Sequence, residues 1–259
     1  MSSPRPDPTS TPVRRTLALS ASMEDYIRAI YAAGGDEVAV ATTVLARALD
    51  VAPASVTGMI KRLDGLGLVR HERYAGVVLT EVGRKVALEI LRHHRLIETF
   101  LAEALGIGWD AVHDEAHRLE HHISDALGER MADFLGHPER DPHGAPIPPR
   151  DGPFVAPRHA RLADAAAGDR VVVREVPDED AAQLRALDRL GIRPDAVLEV
   201  VRLDGAEGPV TVLAGDQLGD VDRALARLVA VDPAPADAVR AASRPAARGA
   251  SDPQRVCEG

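Results

Sequence analysis

Four of the ten histidines in the 259-residue chain fall in one stretch, "AVHDEAHRLEHHISD", residues 111 to 125. Imidazole and carboxylate groups set at helical spacing are donors that suit Mn, Fe(II), Co, Ni and Zn, and that suit Cu(I) poorly. On a helical wheel of about 100° per residue with His113 at zero, His117 falls at about 40°, Glu120 at about −20° and His121 at about 80°, all on one side. His122 points elsewhere. The preceding segment "RHHRLIETFL" offers His94 and Glu98, an i, i+4 pair on one face. Two facing helices that each present His and Glu in this way form the arrangement by which helical bundles hold divalent ions. For a single His–Glu pair the plainer reading is a solvated ion pair on a helix surface; six such groups on adjacent helices favour a metal. A catalytic reading stands beside it. His117-Arg118-Leu119-Glu120-His121 spells H-x-x-E-H, in which two histidines bind zinc and the glutamate activates water. Nothing near it in sequence resembles a protease cleft.

These side chains need a scaffold, and the composition restricts which. A chain of this length with 45% hydrophobic residues buries a real core and suggests two or three small domains. No apolar run approaches the roughly 20 residues needed to cross a bilayer, and "MSSPRPDPTSTPVRR" lacks the apolar segment of a secretory signal, so a cytoplasmic location is expected. The single cysteine, Cys257, excludes a disulfide framework and a thiolate cage within one chain. Any metal must therefore be held by His and carboxylates.

The pattern along the chain separates a Pro/Ser/Thr/Arg-rich arm (1–19) and a Pro/Ala-rich tail (233–259), both expected to be disordered, from the rest. Short helical patterns and a hairpin occupy 20–82. Long helical patterns broken at "LGIGWD" and "ALGERM" occupy 83–140. "GHPERDPHGAPIPPRDGP" has the Pro/Gly density of a linker, placed at 141–160. In 161–232, "DRVVVREV", "AVLEVVRL" and "PVTVLAG" read as strands and "DEDAAQLRALDRLG" as one helix.

Within 20–82, "TTVLARALD", the turn "VAP" and "ASVTGMIKRLDGLG" read as helix, turn and helix. Val56, Met59, Ile60 and Leu63 share one face of the second helix; Ala54, Ser55, Thr57, Gly58, Lys61 and Arg62 share the other. Small and hydroxylated side chains let a helix enter the major groove and read base edges, while lysine pairs with phosphate. "LVRHERYAGVVLT" follows as a basic hairpin carrying Arg70, His71 and Arg73, placed as a wing on the DNA backbone. Taken alone, that helix is equally an ordinary amphipathic one. The local charge separates the two readings: residues 54 to 95 hold eight Lys/Arg against four acids, in a chain of net charge −9.

"SMEDYIRAIY", "PASVTGMIKRLDGLGLV", "GVVLTEVGRKVA", "LRHHRLIETFL", "VHDEAHRLEHHISD" and "PHGAPIP" agree in order and spacing with one known family. Over about residues 20–231 the chain resembles the diphtheria toxin repressor family of iron- and manganese-dependent transcription regulators. The resemblance implies a mainly α fold with small β: an N-terminal winged helix-turn-helix, a helical dimerisation and metal-binding domain, and an SH3-like (FeoA-like) β-barrel. It implies a non-enzymatic regulator, a repressor of metal-uptake genes, with Mn(II) or Fe(II) as co-repressor at two sites per subunit. The protein would act as a homodimer on double-stranded palindromic operator DNA, with no membrane and no organic cofactor. Carried over by position, the primary metal site falls on Asp25, His117, Glu120 and His121, and the ancillary site on His94, Glu98 and His113. Asp180 and Gln183 would be the ligands from the barrel domain. The family often has Cys or Glu in place of His117, and Met or Asp in place of Asp25. Asp25 has a plainer reading as part of a helix-capping arrangement. A metal-independent winged-helix regulator sensing an organic ligand remains the alternative function, with the zinc hydrolase behind it.

Overall fold

The structure is a computed structural model that describes residue 17, residues 19–72 and residues 75–235. The remaining arm, the tail from 236 with Cys257, and Arg73 lie outside the described residues. The chain forms two compact units, one holding residues up to 158 together with 175–186, the other residues 159–174 and those from 187 onward.

The first unit begins with α1 (Ala21–Ala32), whose N-cap is Ser20. The Ser20 side chain accepts from the Met23 amide, so the cap needs no help from Asp25 one turn further on. α2 (Thr42–Ala48) and α3 (Pro53–Gly65) follow, with their axes bent by 110°, the angle of a helix-turn-helix pair. Pro53 opens α3, where its missing N–H costs nothing. Val56, Ile60 and Leu63 are buried and tie α3 to a core made with Ile27, Ile30, Leu45 and Val86. Each such buried aliphatic contributes about 1.5–3 kcal/mol. The opposite face of α3 is left to solvent.

β1 (Val69–Glu72) and β2 (Gly76–Leu79) pair antiparallel, with Val69 opposite Leu79. β2 is buried throughout, whereas Arg70, His71 and Glu72 of β1 are exposed, as a wing requires. Gly76 has φ +126°, and a Cβ there would strike the Val40 carbonyl, so glycine is needed both for conformation and for the bridge between Val40 and Val77.

α4 (Glu81–Leu105) is 25 residues long, capped by Thr80 and ended by Gly106 in the left-handed region. α5 (Val112–Leu119) and α6 (Asp125–Phe134) pack on it through Ile97, Leu101, Val112 and Ala116 and through Leu96 and Ala132. The break at "LGIGWD" is present. The expected break at "ALGERM" is not, because α6 runs straight through it. Gly128 serves another purpose there: a Cβ would lie 2.9 Å from the His93 ring, so the glycine lets two helices approach. The interruption falls instead at residues 120–124, before the Ser124 cap. The Pro/Gly segment after α6 also departs from expectation. Asp141, His143, Ala145 and Ile147 are buried and Arg140 bridges Pro146, so this part packs as irregular structure rather than standing free as a linker.

The second unit carries an antiparallel sheet in the order β3-β8-β4-β5-β6-β7. Its strands are β3 (Ala160–Arg161), β4 (Arg170–Glu175), β5 (Val197–Leu203), β6 (Val210–Ala214), β7 (Gln217–Val221) and β8 (Ala230–Pro233). Leu198 and Val200 of β5 point inward with Val210, Val212 and Val221, the alternation of a one-sided sheet. The helix expected between the first long strands is α7 (Ala181–Arg189), and a short α8 (Arg223–Ala226) precedes β8. This is the SH3-like part of the mainly α fold.

Candidate metal centre

Three helices of the first unit aim chemistry at one place. α4 buries His94 and Glu98 on its inner face, α5 brings His113 and His117, and α1 brings Glu24, Asp25 and Arg28. α5 itself ends at Leu119. Glu120 is its C-cap and His121 lies in the turn beyond, so the wheel angle for His121 does not describe its position. The turn carries His121 across to α1, where it meets Glu24 and Asp25.

Asp25, His117, Glu120 and His121 each offer a ligand atom within 4.8 Å of the others. Glu120 is fully buried and accepts from His94 Nδ1 at 2.9 Å and His117 Nδ1 at 2.7 Å. Its carboxyl pKa falls from 4.5 to about 2; burial alone would raise it, but the hydrogen bond and charge of His94, with Arg28 and His117, outweigh burial. The buried Glu24 sits 2.7 Å from His121 Nδ1 and so fixes that nitrogen as the proton donor. His121 Nε2 then faces Asp25 Oδ1 at 3.2 Å and Glu120 Oε1 at 3.6 Å. Asp25 Oδ1 is buried and has no hydrogen-bond partner. Two imidazole groups and two carboxylates converging within 4.8 Å match the donor set of a divalent cation.

His94, Glu98 and His113 form a second convergence. Glu98 Oε1 lies 3.0 Å from His94 Nε2 and 3.1 Å from His113 Nδ1, and the two ring nitrogens are 3.2 Å apart. The His94 pKa rises from 6.5 to about 9: burial lowers it, but hydrogen bonds to Glu120 and Glu98 more than reverse that. His113 rises to about 10, with burial opposed by Asp178 and Glu98. Two ring nitrogens and one carboxylate oxygen thus converge on a single point.

A third group, Glu98, Asp141 and His143, shares Glu98 with the second. His143 Nε2 lies 2.7 Å from the Trp109 carbonyl, which only accepts, so Nε2 carries a hydrogen and Nδ1 is left for other contacts. That Nδ1 is buried without a partner, 3.9 Å from Glu98 Oε2, which is also unpartnered. Asp141 Oδ1 accepts from the amides of His143 and Ala145, and Oδ2, which makes no hydrogen bond, lies 3.5 Å from Arg95 Nε. Burial, and then the charge of Glu98, push the Asp141 carboxyl well up. Four buried atoms that make no hydrogen bond, all belonging to three adjoining donor groups, fit one or more divalent ions of the kind that accept mixed nitrogen and oxygen ligands.

The acid expected at Asp180 is placed differently. Asp180 is exposed and its Oδ1 caps α7, accepting from the amides of Ala182 and Gln183, so it acts as a helix cap. Asp178 instead faces the cluster, 3.6 Å from His113 Nδ1; burial would raise its pKa, but the interaction with His113 holds it well below the usual carboxylate range. Gln183 is brought into contact with Asp180 through its backbone. Glu24, Arg28, Asp141, His143 and Asp178 are thus site residues that the sequence reading missed; the i, i+2 pair Asp141 and His143 was the available signal. On α3, Ser55, Thr57, Lys61 and Arg62 are all exposed on one face, and Arg70 is exposed on the wing. Thr57 Oγ1 donates to the Pro53 carbonyl at 3.2 Å.

Comparison with known proteins gives the following. The family model "Iron dependent repressor, N-terminal DNA binding domain" matches residues 18–77. "Iron dependent repressor, metal binding and dimerisation domain" matches 80–149, and "FeoA domain" matches 160–233. The iron-dependent repressor IdeR of Mycobacterium tuberculosis is 30% identical over 221 residues, 81% of this chain and 96% of that protein. The HTH-type transcriptional regulator MntR of Oceanobacillus iheyensis is 36% identical over 116 residues, 45% of this chain and 78% of that one. A solved structure, "Manganese-dependent transcriptional repressor complex with manganese", superposes with a TM-score of 0.75 at 36% identity, covering 82% of this chain and all of that one.

Proposed function

The chain belongs to the family of iron-dependent repressors, and from that premise we propose how its own residues make operator binding depend on a divalent ion. It is a metal-dependent transcriptional repressor. When bound, Mn(II) or Fe(II) supplies the positive charge that lets carboxylates and imidazole lone pairs of separate helices stand together. Asp25, His117, Glu120 and His121 hold the primary ion. Glu98, with His94, His113 and Asp178 on one side and Asp141 and His143 on the other, holds an ancillary one.

The observation that carries this reading is Asp25 Oδ1, buried and unpartnered opposite His121 and Glu120. Asp25 stands on α1, whose buried Ile27 and Ile30 join the core that also seats α3. Glu120 and His121 follow α5, packed on α4. Drawing these groups together fixes α1, and with it the reading face of α3, against the α4–α5 pair. Glu24 keeps the His121 ring in the required tautomer while this happens. Exposed Leu105, Leu119, Leu127 and Phe134 on α4, α5 and α6 provide an apolar surface for a symmetric partner. Two copies would then present their α3 helices to half-sites about one DNA turn apart in a palindromic operator. A DNA target places the protein in the cytoplasm, with metal-uptake genes as the regulated set.

Asp25 is a hard oxygen donor, which accommodates Mn(II) well, while His117 is also comfortable with Fe(II). The H-x-x-E-H spelling supports no hydrolase, since Glu120 is buried among His94, His117 and Arg28 rather than open to a water. The deciding experiment is an anaerobic titration of the protein's own upstream DNA with Mn(II) and Fe(II) at matched free concentrations, using wild type and Asp25→Met. We expect weak binding without metal, strong binding with either ion, and a larger loss for Mn(II) in the variant. Full-strength binding without metal refutes the reading.

A further inference from the structure

Arg28 is the one cationic side chain of α1, and it is directed into the donor set. Its Nη2 donates toward His117 Nδ1 at 3.1 Å, and its Nη1 lies 3.5 Å from His94 Nδ1 and 3.6 Å from Glu120 Oε1. These atoms belong to the primary donor group or border it. The guanidinium is fixed in charge, planar and able to donate through several N–H groups at once, so it can lie against the Glu120 carboxylate and His117 together. We propose that Arg28 is a built-in competitor for the metal, a tethered cation that lies against the donor residues His117 and Glu120 and must be displaced before a divalent ion binds them, so that it sets the metal concentration at which the repressor responds. This rests on the primary site described above.

Three features give the direction of the effect. First, the contacted nitrogen of His117 is also 2.7 Å from Glu120 Oε1, so one atom is asked to accept from Arg28 and donate to Glu120. The arrangement holds the site together without satisfying it fully. Second, a guanidinium left in place beside a dication repels it, in a setting where Glu120 is wholly buried and screening by water is weak. Third, the Arg28 side chain retains 25% of its exposure, so it has a route back to water along its flexible stem. Asp25 Oδ1 and His121 Nε2 meet each other at 3.2 Å.

The test compares wild type, Arg28→Met and Arg28→Lys as full-length chains. Mn(II) affinity is measured by competition with a chromophoric chelator, and thermal unfolding is followed with and without saturating Mn(II). Arg28→Met keeps an unbranched stem and removes the charge. It should bind Mn(II) at least tenfold more tightly in one class of site, with a lower melting temperature than wild type when metal-free and an equal one when saturated. Arg28→Lys, which keeps a cation, should bind with an affinity between the two. Unchanged or weaker Mn(II) binding by Arg28→Met overturns the proposal and makes Arg28 a support of the bound ion. Failure of the wild type itself to bind Mn(II) or Fe(II) overturns the metal-site reading, and this inference with it.

Discussion

Replacing Glu120 with glutamine keeps the shape of a fully buried side chain and removes only its charge. The carboxylate accepts from His94 and His117 and lies 3.6 Å from the Arg28 guanidinium. Its folded pKa is depressed, so the stability it contributes is present above the unfolded pKa and lost as pH falls through the folded one. At pH 7 it is therefore fully present. The gap between 4.5 and about 2 corresponds to about 3 kcal/mol, since each pKa unit is worth about 1.4 kcal/mol. Glutamine recovers part of this by accepting one hydrogen bond through its amide oxygen, leaving a loss of about 2–3 kcal/mol. For a protein of this size, at about 2–4 °C per kcal/mol, the metal-free melting temperature should fall by roughly 5–10 °C. The metal-dependent effect is separate. An ion present at a hundred times its Kd stabilises the wild type by about 3 kcal/mol per site, and Glu120→Gln should lose the share due to the primary site. Thermal unfolding of both proteins, metal-free and with Mn(II), reads both quantities, and operator binding should no longer respond to metal. A variant that melts within a degree of wild type without metal, and still shows the full rise with Mn(II), would refute both the electrostatic account of Glu120 and its place among the ligands.

Lys61→Ala, on the exposed face of α3, should weaken binding to all DNA sequences and reduce the slope of log affinity against log salt by about 1; an unchanged slope in a salt titration means that Lys61 does not face phosphate. His94 and His113 have raised pKa values of about 9 and 10, so their ion pairs are complete below about 6.5 and are lost as pH rises through those values. Metal competes with these protons, and ancillary-site affinity measured by chelator competition should increase between pH 6.5 and 9, by up to about tenfold per pH unit for each ring displaced. Asp178→Asn should weaken the ancillary site, whereas Asp180→Asn, a cap substitution, should change stability by well under about 1 kcal/mol and leave metal titrations as in wild type.

The parts of this molecule that a reader of the sequence reaches are those with a period. His94 and Glu98, and His113, His117 and Glu120, lie at helical spacing on α4 and α5, so their convergence is visible before any coordinates are known. The same holds for α3, whose Val56, Ile60 and Leu63 alternate with an exposed polar face. Periodicity fails where the backbone is irregular. Asp141 and His143 stand in a Pro/Gly-rich segment that resembles a linker, and only the buried loop geometry aims them at Glu98. Asp178 and Asp180 are indistinguishable by type and spacing; the backbone amides at the start of α7 claim Asp180 and leave Asp178 for His113. Gly128 reads as a helix breaker because the neighbour that requires it, His93, is 35 positions away in the chain and on another helix. Arg28 escapes a search for ligands because a cation is not one.

The hydrogen bond from His143 to the Trp109 carbonyl also holds the indole in place. The two rings stack with centroids 5.9 Å apart and planes 24° from parallel, and Trp109 is the only tryptophan in the chain. Any change at the Glu98–Asp141–His143 group is thereby transmitted to a single intrinsic fluorophore. With no other indole in the chain, its emission is the signal to follow when Mn(II) is added to the unlabelled protein, and a change there would report from this one location, in real time and apart from DNA.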